Sequence, residues 1–115
     1  MLHQMKLRND PFQRIKNGKK TIEIRLYDEK RKLLNVDDYI EFTNLDNNEK
    51  LKVKVIKLHL FKTFKDLFDK FDNSYLGHDE NDKISYERMY DYYTKEEEKE
   101  YGVVGIEIKL VKGDE

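Results

Sequence analysis

The sequence predicts an α+β fold, a small barrel of curled strands flanked by short helices, on three observations. Apolar and polar residues alternate at 21–26, around Ile40 and Phe42, along 51–61 and at 101–110. A period of two is what a strand needs to turn one face inward. The apolar phase slips by one residue at Val55-Ile56, and a slip inside a strand marks a bulge or bend of the kind that curls a sheet. Helical spacing is confined to a few short segments, and few helices beside a curling sheet make a small α+β barrel.

Residues 2–7 alternate weakly and read as a short first strand. Asp10-Pro11 opens a helix: Asp10 offers a capping oxygen, Pro11 suits the first helical position, and Gln13 completes a capping-box-like pattern. Phe12 and Ile15 supply its inner face, and Asn17-Gly18 ends it because both tolerate positive φ. The strand at 21–26 sends Ile22, Ile24 and Leu26 into a core and Thr21, Glu23 and Arg25 to the opposite face. Residues 27–36 form a charged connection with a helical turn. Asp37-Asp38 leads into the strand of Ile40 and Phe42, and residues 44–48 read as a hairpin loop. The long return strand is expected to bury Leu51, Val53 and Val55, then, past the slip, Ile56, Leu58 and Leu60.

Thr63 caps the next helix, with Asp66 as its capping-box acid, and Phe64, Leu67, Phe68 and Phe71 form its apolar stripe. Tyr86, Met89, Tyr90 and Tyr93 repeat that spacing, and both stripes read as core. Tyr92 lies off the second stripe and is expected to be exposed. Residues 72–83 between them are polar loop. Thr94-Lys95-Glu96-Glu97 starts a short acidic helix. Residues 101–110 close the fold as a strand with Val104, Ile106, Ile108 and Leu110 inward, Gly102 and Gly105 serving a tight lead-in and close packing. Residues 113–115 are expected to fray, which leaves one domain over 1–112.

The chain has 115 residues, enough for one core without a staple. It has no cysteine, which excludes disulfides, thiolate metal sites and cysteine nucleophiles. Charged residues make up 41% of the chain, yet the net charge is -1, so any nucleic-acid contact must come from a local patch. Two basic groups qualify: Arg14, Lys16, Lys19 and Lys20, and the row Lys50, Lys52, Lys54 and Lys57. Acid gathers at Asp79, Glu80 and Asp82 and at 96–100; runs of either sign are ordinarily solvated faces. No stretch has membrane-spanning length and no signal peptide is evident. We therefore expect a soluble cytoplasmic monomer that makes no membrane contact.

His3, His59 and His78 lack metal-ligand spacing, and Ser74 and Ser85 sit in no nucleophile elbow. Gly77, Gly102 and Gly105 make no phosphate-cradling loop. We expect no metal and no cofactor. The concentrated chemistry is at residues 17–25, where a glycine turn delivers Lys19 and Lys20 beside a strand face carrying Thr21, Glu23 and Arg25. Glu23 and Arg25 alone could be a surface ion pair. With Lys20 and the Gly18 turn they make a site for a small polar or anionic ligand.

Gly18-Lys19-Lys20-Thr21-Ile22-Glu23-Ile24-Arg25 resembles the G-x-K-x-x-E-x-R signature of the ASCH domain, the activating-signal-cointegrator homology family. Lys20, Glu23 and Arg25 fall on its charged positions. Pro11-Phe12 with Ile15 resembles the helix leading into that motif. Residues 36–42 resemble its V-G-D-x-I-x-F strand, with Asp37 in place of the usual glycine. Residues 64–68 and 101–110 resemble the following helix and the closing strand. The resemblance implies a PUA-like barrel of about five or six mostly antiparallel strands. It also implies binding of RNA or a modified nucleoside, in a cleft between the barrel and the helix before the motif strand. Lys19, Lys20, Thr21, Glu23 and Arg25 are then the ligand-binding residues. Lys20 and Arg25 would contact phosphate or a base edge, and Glu23 would orient Arg25.

The alternatives are enzymes and an adaptor. One branch of the family hydrolyses N4-acetylcytidine, and a ribonuclease activity is associated with others. In a hydrolase Lys20 and Glu23 would be the catalytic residues, with Glu23 standing where that branch has a threonine. That branch also uses a distant glutamate, and Glu80 lies near its place in sequence. A protein-interaction adaptor would instead use the Tyr-rich insertion and the acidic helix.

Overall fold

A computed structural model describes residues 1–78 and 84–112. Five strands, β1 (Leu2–Leu7), β2 (Ile22–Leu26), β3 (Tyr39–Asn44), β4 (Lys50–Phe61) and β5 (Val103–Leu110), make one sheet of order β1-β3-β4-β5-β2. Three pairings are antiparallel, and β1 runs parallel to β3. The helices are α1 (Asn9–Lys16), α2 (Phe64–Lys70) and α3 (Lys95–Tyr101), with 3-10 turns at Arg31–Leu33 and Tyr86–Asp91. Asp79, Glu80, Asp82 and residues 113–115 lie outside the described residues.

The bulge falls where the phase slips. Register jumps from Val55 opposite Ile108 to Lys57 opposite Glu107. One expectation fails there: Ile56 and Leu60 are exposed. Ile56 is the unpaired bulge residue, and Leu60 sits near the strand end, where the core no longer covers it. Leu58 alone of that trio packs against the core.

The curled sheet is packed on both faces. The first core joins Met5, Ile40, Phe42, Val53, Val55, Val104, Ile106 and Ile108 with Phe12 and Ile15 of α1. The second joins Ile22, Ile24, Leu26 and Val103 with Phe64, Leu67 and Phe71 of α2. Gly105 lies against the second core, where an added Cβ would come within 3.2 Å of Leu67 and 3.3 Å of Ile22.

The sheet is a curled half-barrel of five strands, and among the described residues the closure expected from the sequence is not found. Its edge strands β1 and β2 do not pair. Instead the Arg25 guanidinium donates from Nη2 to the Lys6 carbonyl, 2.8 Å away, so a side chain spans the seam. The start of β2 is claimed by the 72–78 loop: Thr21 and Ile22 both donate their N–H to the Tyr75 carbonyl.

Helix ends follow local chemistry, with one exception. Thr63 accepts from the Asp66 N–H, and Thr94 with Glu97 forms a full capping box. Asp10 does not cap α1: the helix starts at Asn9, whose N–H is taken by Asp46 Oδ2 of the β3–β4 hairpin at 2.7 Å. Asp10 sits in the first turn and pairs with Arg14, and Pro11 is the third helical residue. At the other end of the chain Tyr101 belongs to α3, and β5 begins only after Gly102 turns at φ 72°. Asp37, standing where glycine is usual, has φ 76°. That left-handed conformation is one aspartate tolerates better than most residues.

Candidate functional site

The motif turn is built from the end of α1. Gly18 takes φ 84°, the Asn17 side chain accepts from the Lys19 N–H, and the Lys20 N–H returns to the Arg14 carbonyl. Lys20 then bridges to Leu76. Gly77 has φ 88°, and a Cβ there would lie 2.8 Å from the Lys20 Cβ. Only glycine lets the 72–78 loop lie against the motif so closely. Lys20 is thereby held at the edge of the face presented by β2.

Glu23 is buried between two cations. Lys20 Nζ is 3.4 Å from Oε1, while Arg25 donates to Oε2 from Nε at 2.9 Å and approaches it through Nη2 at 2.8 Å. The three side chains are only 6–13% exposed. Burial pushes the Glu23 carboxyl up, but Arg25 and Lys20 outweigh it and hold its pKa below the ordinary value of 4.5. Burial likewise disfavours the Arg25 cation, and the Glu23 carboxylate overcomes this and raises its pKa. Glu23 therefore stays an anion and the trio carries one net positive charge. Nη1 of Arg25 has no protein acceptor among the described residues.

The trio forms part of the wall of a cleft of about 420 Å³ between α1, the end of β1 and the 84–93 segment. Among the described residues six cationic side chains line it, Lys6, Arg8, Arg14, Lys20, Arg25 and Arg88, against two carboxylates, Asp10 and Glu23. Phe68, Leu76, Met89, Tyr92 and Tyr93 add apolar and aromatic wall. Burial raises the Tyr93 hydroxyl pKa above 10.0. A hollow with aromatic walls and a few fixed polar groups has the composition of a small-ligand site.

Lys20, Glu23 and Arg25 thus converge. Lys19 is exposed on the turn, and neither it nor Thr21 lines the cleft. Arg14 faces the cleft, whereas Lys16 ties to Glu49 outside it. In the second basic row Lys50 pairs with Glu41, Lys54 with Asp37, and Lys52 lies over the Tyr39 ring. Tyr92 is 73% exposed at the cleft, as its position off the stripe predicts. Lys6, Arg8 and Arg88 escaped the sequence reading. They come from separate segments, and no local pattern marks them.

Among the described residues no group of three His, Cys, Asp or Glu side chains could hold a metal. His3 bonds Asp38 at 2.8 Å, and His59 bonds Glu107 at 3.0 Å while meeting the Phe71 ring edge-on. No described helix is long and apolar enough to cross a membrane.

A family model of the ASCH domain matches residues 5–112. Among solved structures, the crystal structure of hypothetical protein PH0355 is 36% identical, with a TM-score of 0.82. The match covers 96% of this chain and all of that one. The solution NMR structure of protein PF0455 from Pyrococcus furiosus is 33% identical, with a TM-score of 0.75, over 98% of this chain and all of that one. No curated protein gives a significant match.

Proposed function

The chain belongs to the ASCH domain family, and from that premise we propose that its cleft binds RNA or a modified nucleoside. The observation that carries the reading is the Lys20–Glu23–Arg25 trio in the wall of a cationic, aromatic-walled hollow in a protein of net charge -1. Glu23 fixes the two cations. The remaining lysine donors and the Arg25 Nη1 edge then meet a phosphate or a base edge. Tyr92 and Tyr93 offer ring faces for a base. A concave site of this size suits an unpaired or extruded base better than a duplex.

The same geometry argues against a hydrolase built on Glu23. A general base works best with a pKa near the operating pH, and Glu23 is held below 4.5 with both oxygens occupied. Incubation with N4-acetylcytidine should release no cytidine above a Lys20→Ala control. Of the surface an adaptor would use, Tyr86, Met89, Tyr90 and Tyr93 are partly buried against the second core, while Tyr92 stays exposed.

Titration of the full chain with fluorescent single-stranded RNA tests the proposal. Binding should weaken with salt by a log-log slope of about -0.7 per phosphate contact. Salt-independent binding, or none to any single strand or nucleotide, would overturn it.

A further inference from the structure

A second hollow of about 410 Å³ lies across the seam, lined by Gln4, Met5, Lys6, Arg25, Lys30, Arg31 and Thr43. Lys6 and Arg25 line both hollows, and their Nη2-to-carbonyl hydrogen bond joins the two edge strands between them. Among the described residues no carboxylate lines the second hollow, and no acid lies within ion-pair reach of Lys6 or Lys30. The acids that reach its lining hold the two arginines: Glu23 meets Arg25 at 2.8 Å, and Asp28 holds Arg31 Nη1 at 3.2 Å. Arg31 Nε is buried with no hydrogen-bond partner. Two lysines without a matching acid, beside two arginines each held by one carboxylate, leave the hollow an excess of positive charge that suits an anion, and its continuity with the main cleft makes a path for a chain of them.

We infer that the two hollows form one track across the Lys6–Arg25 seam, so that the ligand is a single-stranded polynucleotide and not a free nucleoside. This rests on the nucleotide-binding reading of the main cleft. One base sits in the cleft against the Lys20–Glu23–Arg25 trio, and the phosphate of a neighbouring nucleotide sits on Lys30 and Arg31. Arg25, shared by both, touches the linkage between them. Lys30 is exposed and pairs with no acid among the described residues, so it can be reversed without disturbing the fold.

The test compares wild type, Lys30→Glu and a control, Lys62→Glu, which makes the same charge change at an exposed position outside both hollows. Each is titrated with a short single-stranded RNA and with nucleoside monophosphates, at several salt concentrations. Lys30→Glu should weaken RNA binding roughly fivefold and flatten the salt slope by about 0.7, as the loss of one phosphate contact requires. Mononucleotide affinity should stay unchanged, and Lys62→Glu should match wild type. If Lys30→Glu binds RNA as wild type does, or if RNA binds no tighter than a mononucleotide, the track is wrong while the cleft reading stands. If neither probe binds wild type, both readings fall together.

Discussion

Among the described residues two glutamates are buried, and they are held in opposite ways. Glu98 of α3 accepts from neutral donors, the Phe64 N–H at 2.7 Å and the Tyr90 hydroxyl at 2.8 Å. It ties α3 to the start of α2 and to the Tyr86–Asp91 turn. Glu23 of β2 is held by an ammonium and a guanidinium beside an open cleft. Burial is nearly equal, 7% against 4% exposure, so burial alone does not mark function. What distinguishes them is what the partners still have to give. Around Glu98 the donors are spent on the carboxylate. Around Glu23 the cations keep donors facing the hollow.

The largest effect that separates the two comes from removing each carboxylate. Glu23→Ala leaves two buried cations unpaired and should destabilise the protein by about 3–5 kcal/mol, with ligand binding lost as well. Glu98→Ala strands the Phe64 N–H and the Tyr90 hydroxyl and should cost about 2–3 kcal/mol, while the affinity of the folded protein for nucleotide is unchanged. Thermal melts with parallel binding titrations check both. If Glu98→Ala weakens binding as much as Glu23→Ala does, the contrast between the sites is wrong.

The pH dependence of stability should divide the same way. The Glu23 pKa is depressed, so its contribution is present above about 4.5 and is lost as pH falls through the lower folded value. Tyr90 is the reverse case: burial and the bond to Glu98 push its hydroxyl up to about 12 from 10.0. Its contribution is complete below pH 10 and is lost as pH rises toward about 12. Denaturant midpoints measured across pH should show Glu23→Gln flattening the acid limb and Tyr90→Phe flattening the alkaline limb. A Glu23→Gln variant that keeps the wild-type acid limb would break this assignment. The smallest effect belongs to the cap that presents Glu98: Thr94→Ala should cost about 1 kcal/mol, read as a drop in melting temperature with binding intact.

The contrast also explains what could be seen in the sequence. Glu23 and Arg25 were legible because strand alternation puts both on one face, and Gly18 and Lys20 stand within the same short segment. The bulge was legible because a slipped apolar phase is a local signal. Glu98 was not, because in the acidic run at 96–100 every residue looks solvated, and its partners are Phe64 and Tyr90. The cap on α1 was misplaced for the same reason. Asp10 has the right chemistry, but Asp46 arrives from a hairpin distant in sequence and takes the Asn9 N–H. The parallel pairing of β1 with β3, the open seam and the cleft cations Lys6, Arg8 and Arg88 all depend on contacts between segments that carry no mutual pattern.

The central claim is that Lys20 and Arg25, fixed by Glu23, face a ligand. The most direct measurement is titration of wild type, Lys20→Ala and Arg25→Ala with single-stranded RNA, each variant first shown to be folded by its melting curve. We predict that both folded variants lose roughly tenfold or more in affinity, the scale of one or two charge-assisted hydrogen bonds. Folded variants that bind as tightly as wild type would contradict it.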